Sequence, residues 1–231
     1  MRKESITVDV ERDCPPKLQT FLGIKRGLPK LLELFRREEI PATFFVTAEI
    51  AEFFPSMIED IVDEGHELGC HGMFHERFDL LDYKRASYAI SKATNILNSF
   101  GEVTSFRAPY LKFPESYLSI LNENGYRIDS SVATYKPPFF FKKRKVNGIV
   151  RIPVSVTSSF LRLPYSLVSS LLSCVKRPVL FIHPWEFIDM SSMPIRFDCR
   201  LGTGNSALEN LERLIRYFKH KDYKFVPIKE M

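Results

Sequence analysis

The sequence predicts an α/β fold: a distorted (β/α) barrel of about seven parallel strands, in a single domain spanning residues 1–231. Three observations carry this. Short apolar runs alternate with amphipathic stretches of helical period. That alternation argues a parallel sheet, and its eight strand candidates favour a closed or nearly closed barrel over an open one. Finally, charged residues and histidines recur where the apolar runs end, which is where parallel barrels build their sites.

The elements follow in order. SITVDV (5–10) is strand-like. GLPKLLELFRRE (27–38) is a helix with Leu28, Leu31, Leu32 and Phe35 on one face. ATFFVTA (42–48) is a buried strand, SMIEDIVDE (56–64) a helix stopped by Gly65, and HELGCH (66–71) a strand. A long helix over 82–100 carries a stripe of Ala86, Ala89, Ala93, Leu97 and Phe100. TSFRAPY (104–110) is a strand, 114–124 a helix ended by Gly125, and YRIDSSV (126–132) a strand. GIVRIPVSV (148–156) and PVLFIHPW (178–185) are strands around a helix at 166–176. The helix at 206–221 has Ser206 and Glu209 at capping-box spacing, and KFVPIKE (224–230) reads as a closing strand.

Composition excludes several classes. Hydrophobic residues at 45 % and charged residues at 26 % fit a globular chain, and no run is long enough to span a membrane. MRKESITVDV lacks the apolar stretch of a secretory leader, so a cytoplasmic protein is expected. The net charge of +5 does not single out nucleic acid as a partner. Without a CxxC pair, Cys14, Cys70, Cys174 and Cys199 are expected to be reduced thiols, with a Cys14–Cys199 bridge left open.

The chemistry sits in a constellation. His71 and His75 in GCHGMFHERF are four apart, so their side chains can point the same way toward one zinc ion. Asp9 and Glu11 share a strand face, and two adjacent carboxylates repel unless a cation or an arginine compensates. Arg107 in FRAPY ends a strand, and as a buried cation it needs an anion such as a strand-one carboxylate. His183 in FIHPWEF ends another strand beside a pocket wall, and Asp129 ends a third. Each alone has a plainer reading: paired surface histidines, a solvated strand end, a rim arginine, a core histidine. Their joint placement at strand ends favours a site.

TVDVE, HGMFH, RAPY, IDSSV and FIHPWE, in this order and spacing, resemble the polysaccharide deacetylase family (the nodulation-protein-B homology domain, carbohydrate esterase family four), over roughly residues 5 to 190. The resemblance implies one divalent metal, most often zinc, and hydrolysis of N-acetyl groups on an amino sugar with release of acetate. It implies His71 and His75 as metal ligands, Asp9 as general base, Arg107 as its partner, His183 as general acid and Asp129 as the carboxylate tuning it. Tyr110 is implied where a backbone amide holds the oxyanion. The family's paired aspartates are replaced here by Asp9-Val10-Glu11, so Glu11 takes the place of the third ligand, with the division of base and ligand between Asp9 and Glu11 left open and Asp13 a further candidate.

The expected substrate is an N-acetylated polysaccharide, oligosaccharide or lipid-linked glycan, with Tyr110 and Trp185 placed to stack on sugar. The segment YKPPFFFKKRK (135–145), three phenylalanines beside basic residues, is a candidate membrane-surface contact at the inner face; the plainer reading is a loop with buried phenylalanines. Two alternatives from other classes remain: a metal-independent hydrolase of a small cyclic amide on the same fold, and a non-catalytic carbohydrate-binding relative.

Overall fold

A computed structural model describes residues 2–137 and 142–231. Among these, nine strands form one sheet: β1 (Arg2–Val10), β2 (Thr43–Val46), β3 (Glu67–Cys70), β4 (Ser105–Phe106), β5 (Ile128–Asp129), β6 (Arg144–Val146), β7 (Ile149–Arg151), β8 (Val179–Ile182) and β9 (Tyr223–Phe225). Their order is β6-β7-β5-β4-β3-β2-β1-β8, with β9 paired to the start of β1. All pairings are parallel except β6 with β7. The seven strands β1–β5, β7 and β8 make a curled wall. Its two margins meet at a narrow seam, where the Ser155 amide donates to the Val179 carbonyl at 2.9 Å and the Val179 amide to Ser155 Oγ at 2.9 Å.

Strand periodicity sorts the side chains into two layers. Ile6, Val8 and Val10 of β1 face outward into the core shared with the helices Leu28–Arg37, Tyr83–Leu97 and Asn205–His220. The other face looks into the barrel, where Phe45, Ile128, Val154, Val179, Phe181 and Ile228 fill the interior. Each such side chain taken out of water contributes roughly 1.5–3 kcal/mol. The C-terminal turn closes the bottom: the Ile228 amide donates to Thr43 Oγ1 at 2.8 Å and the Lys229 amide to Glu67 Oε2 at 3.2 Å. The layer above this plug is polar, and there the site lies.

Several expectations change. Strand 104–110 shortens to two residues because Pro109 and the left-handed Tyr110 and Leu111 turn the chain. Pro153 cuts the ladder of 148–156, which gains the antiparallel β6 instead. Pro227 stops the closing strand at Phe225. The helix 82–100 ends at Leu97, so Phe100 lies beyond it. The Ser206–Glu209 capping box does not form: the helix starts at Asn205 behind Gly204, and Ser206 Oγ bonds the Gly202 and Thr203 carbonyls. Short helices at Ala48–Phe53, Ser158–Leu161 and Phe197–Arg200 were not expected. Among the described residues no helix is long and apolar enough to cross a membrane.

Candidate metal centre and active site

The strand ends converge as the barrel requires. Asp9 closes β1 and Glu11 follows it; His71 follows β3, Arg107 follows β4, and His183 follows β8. His75 sits not on a helix but in the loop after His71, held at φ 65°. Its ring meets that of Tyr110, also left-handed at φ 59°, edge-on at 4.7 Å. Non-glycine residues in this region store of order 1–3 kcal/mol and cluster at functional sites. Gly72 at φ 86° permits the loop, since a Cβ there would lie 2.7 Å from Glu76 Oε2.

Three ligand atoms come together. Glu11 Oε2 lies 2.6 Å from His75 Nε2 and 3.2 Å from His71 Nε2. One ligand atom from each of the three residues lies within 4.8 Å of the others, and this is a group that could hold a metal ion. His71 Nδ1 lies 2.7 Å from the Arg107 carbonyl oxygen, and this contact orients the ring so that Nε2 faces Glu11. Burial pushes the Glu11 carboxyl up, but the charge of His75 and hydrogen bonds from His71 and His75, with His183 behind them, hold it well below the usual carboxylate range. Two imidazoles and one carboxylate are a donor set that suits zinc and leaves coordination positions open.

Beside this cluster, Arg107 is fully buried. Its Nη1 donates to Asp9 Oδ1 at 2.7 Å and to Thr7 Oγ1 at 2.7 Å, and its Nη2 to Ser130 Oγ at 2.9 Å. The rings of Phe45 and Phe181 flank the guanidinium at 4.3 and 5.7 Å. This environment leaves the arginine one geometry and holds one Asp9 oxygen with it.

His183 stands across the cavity, its Nε2 3.7 Å from Glu11 Oε1. The carboxylate at its other nitrogen is Glu186, not Asp129. Glu186 Oε1 accepts from His183 Nδ1 at 2.6 Å and from the His183 amide at 3.0 Å, within the turn Pro184–Phe187. Arg162 lies beside the other Glu186 oxygen as an ion pair, Nε to Oε2 at 2.8 Å. Burial lowers the His183 pKa, but the hydrogen bond to Glu186 and the charges of Glu11, Glu186 and Asp9 outweigh it, and it is pushed up to about 9. Asp129 is instead paired at 2.7 Å with Arg151, its neighbour across the β5–β7 ladder, and caps the Ser131 amide.

Asp9, Glu11, His71, His75, Tyr110, His183 and Trp185 line one cavity of 410 Å³. Trp185 is only 4 % exposed and stacks on His183 at 5.1 Å, with Arg162 over its ring, so it is cavity wall rather than an open sugar platform. Asp13 is not among the ligands, because its oxygens accept from Thr20 Oγ1 and the Leu22 and Gly23 amides and so clamp the loop after β1. Reading the sequence also missed Glu186, although an acid three residues after His183 was a usable signal. The phenylalanines of the candidate membrane contact, Phe139 to Phe141, lie outside the described residues. Of the adjoining basic residues, Lys136 Nζ donates to the Tyr110 carbonyl at 2.8 Å, Lys143 Nζ to the Met231 carbonyl at 2.5 Å, and Arg144 pairs with Glu115. Membrane contact finds no support in them.

Comparison with known proteins places the chain in a family. The model of the polysaccharide deacetylase family matches residues 10–128. A peptidoglycan deacetylase of Helicobacter pylori is 32 % identical over 108 residues, 46 % of this chain and 37 % of the relative. A chitooligosaccharide deacetylase of Azorhizobium caulinodans is 30 % identical over 102 residues, 43 % of this chain and 49 % of the relative. The matched part thus spans half or less of these curated relatives. Among solved structures, a family 4 carbohydrate esterase from Streptomyces lividans in complex with acetate superposes with a TM-score of 0.65 at 14 % identity, over 97 % of this chain and 91 % of that one. A CE4 family pseudoenzyme from Bacillus anthracis superposes at 0.67 and 16 % identity, over 99 % and 64 %. At these identities the structures speak for the fold alone.

Proposed function

The chain belongs to the polysaccharide deacetylase family, and on that premise we propose that it is a metal-dependent hydrolase that removes N-acetyl groups from an amino-sugar substrate. The observation that carries this reading is one cavity lined by the Glu11–His71–His75 cluster together with Asp9, which is paired with buried Arg107, and His183, which is paired with Glu186. Glu11, His71 and His75 would hold one divalent cation, zinc on the nitrogen-rich donor set. Bound there, the ion supplies Lewis acidity toward the acetyl carbonyl.

The remaining work falls to the chain. Asp9 takes the proton from the attacking water as general base, and Arg107 fixes the orientation of its carboxylate. The Tyr110 turn, packed on His75, is the wall against which the oxyanion develops. His183 delivers a proton from Nε2 to the departing amine, which leaves poorly as an anion. Glu186 holds the ring by Nδ1 and keeps it protonated near neutral pH, as a general acid needs. Asp9 and His183 thus have separated tasks, set by an arginine on one and a glutamate on the other. Asp9, His183 and Glu186 lie outside the matched residues 10–128, so their proposed roles are argued from geometry.

The test is acetate release from N-acetylated chitooligosaccharides, with the zinc-loaded chain compared with the chelated one. Metal-dependent release is the expected result. Binding of the sugar without release would turn the reading toward a non-catalytic relative. Chelator-resistant hydrolysis of a cyclic amide would turn it toward metal-free chemistry.

A further inference from the structure

Two cysteines that the proposed reaction does not use line the same active cavity. Cys14 lies in the loop after β1, at φ 45°. Cys199 lies in the short helix Phe197–Arg200. Both line the cavity on the Trp185 side. Both also join one small apolar cluster with Trp185, Ile188, Met190 and Ile195. Each thiol thus shares its cavity wall and its apolar neighbours with the other. The other two cysteines stand apart from this arrangement: Cys70 is buried on β3 and Cys174 is exposed.

We propose that Cys14 and Cys199 are a reversible redox pair that closes to an intramolecular disulfide at the cavity edge, in exchange with a small disulfide of the glutathione class. The environment fits the chemistry. The neighbouring Cys14 thiol, aided by the charges of Arg196 and Arg162, holds the Cys199 thiol below its ordinary range against burial and Asp198. A half-exposed thiolate beside arginines is the kind that attacks disulfides.

The exchange balances in two steps. The Cys199 thiolate attacks one sulfur of oxidised glutathione, the glutathione S–S bond breaks, and one glutathione thiolate leaves with its electron pair. Cys14 then gives up its proton and attacks Cys199 Sγ, and the second glutathione thiolate leaves. The two cysteines together lose two electrons and two protons, and oxidised glutathione becomes two glutathione thiols. Closure draws the sulfurs to about 2.05 Å, and so pulls the loop behind Glu11 toward the turn at 198–201. Arg162 donates to the Asp198 and Leu201 carbonyls of that turn while it holds Glu186, so the bridge would be mechanically linked to the partner of His183.

The proposal does not depend on the reaction catalysed, and its test needs no substrate. The full wild-type chain is equilibrated in a series of reduced and oxidised glutathione mixtures, the free thiols are alkylated, and the peptides are mapped by mass spectrometry. The expected result is one cross-linked peptide pair carrying Cys14 and Cys199, lost on adding dithiothreitol. The Cys14→Ser variant should instead accumulate glutathione on Cys199. The proposal is overturned if both thiols stay alkylatable at a ratio that modifies exposed Cys174, or if wild-type Cys199 stops at the mixed disulfide. Because the decisive map is made on wild type, a misfolded variant would not blur it.

Discussion

Glu4 and Glu11 stand at the two ends of the same strand, and both carboxyls are buried. Their charge states are opposite. Glu4 lies at the start of β1, on the outward face with Ile6 and Val8, and neither of its oxygens has a hydrogen-bond partner. Burial alone acts on it and raises its pKa well above the ordinary value of 4.5. Glu11 feels the same burial, but His75, His71 and His183 surround it and keep it ionised. Burial discharges a carboxyl, and partners charge it again. The candidate site at the top of the barrel thus differs from the start of β1 in what converges on Glu11 there, whereas Glu4 is buried without partners.

The largest expected effect breaks the upper end. Glu11→Ala removes the anion between the two histidines, and deacetylase kcat/KM should fall by about 10^3-fold, the scale of losing a principal transition-state stabiliser. A steady-state assay of acetate release with zinc supplied would check it. A loss smaller than tenfold would mean that the carboxylate is not part of the reacting centre.

The next effect concerns the proton on His183. Glu186→Gln keeps the shape but removes the charge, so kcat should fall by about 10^2-fold. The sign is fixed: a general acid acts while protonated, so activity is lost as pH rises through its pKa. Without the Glu186 charge, the alkaline limb of the pH–rate profile should move to lower pH. Asp129→Asn should leave that limb in place, since Asp129 is paired with Arg151. If Asp129→Asn moved the limb as far as Glu186→Gln, the assignment of Glu186 would fail.

These two residues also mark how far the sequence could be read. The parallel barrel was legible because strand and helix periods alternate without interruption, and the strand-end positions of Asp9, His71, His75, Arg107 and His183 were countable along the chain. Asp129 was misread because its partner, Arg151, is set by cross-strand register, which no local pattern encodes. Glu186 was missed because a turn, not a strand face, folds it back onto His183. The Trp185 ring could be seen as lining a pocket wall, but its burial under His183 and Arg162 depends on three separate segments meeting. The supports of Arg107, Thr7 and Ser130, were hidden for the same reason.

The smallest effect sharpens the lower end. Glu4→Leu removes an unpartnered buried carboxyl, so the variant should be more stable at pH 7 by about 1–3 kcal/mol. Here too the sign can be worked out. A folded-state pKa above the unfolded value means that the unfolded chain loses its proton first, so wild-type stability declines as pH rises above 4.5. The advantage of Glu4→Leu should therefore grow with pH from that point, as read by urea unfolding across a pH series. A destabilised variant would reveal a partner that Glu4 does not have in this structure.

One measurement bears on the central claim most directly: zinc bound per chain, after chelation and resupply, for wild type, Glu4→Leu and Glu11→Ala. About one equivalent in the first two and none in Glu11→Ala is the expected result, since the proposed ligands are one carboxylate and two imidazoles at the top of the barrel. Zinc absent from wild type, or retained by Glu11→Ala, would contradict the assignment of that end of the strand as a metal centre.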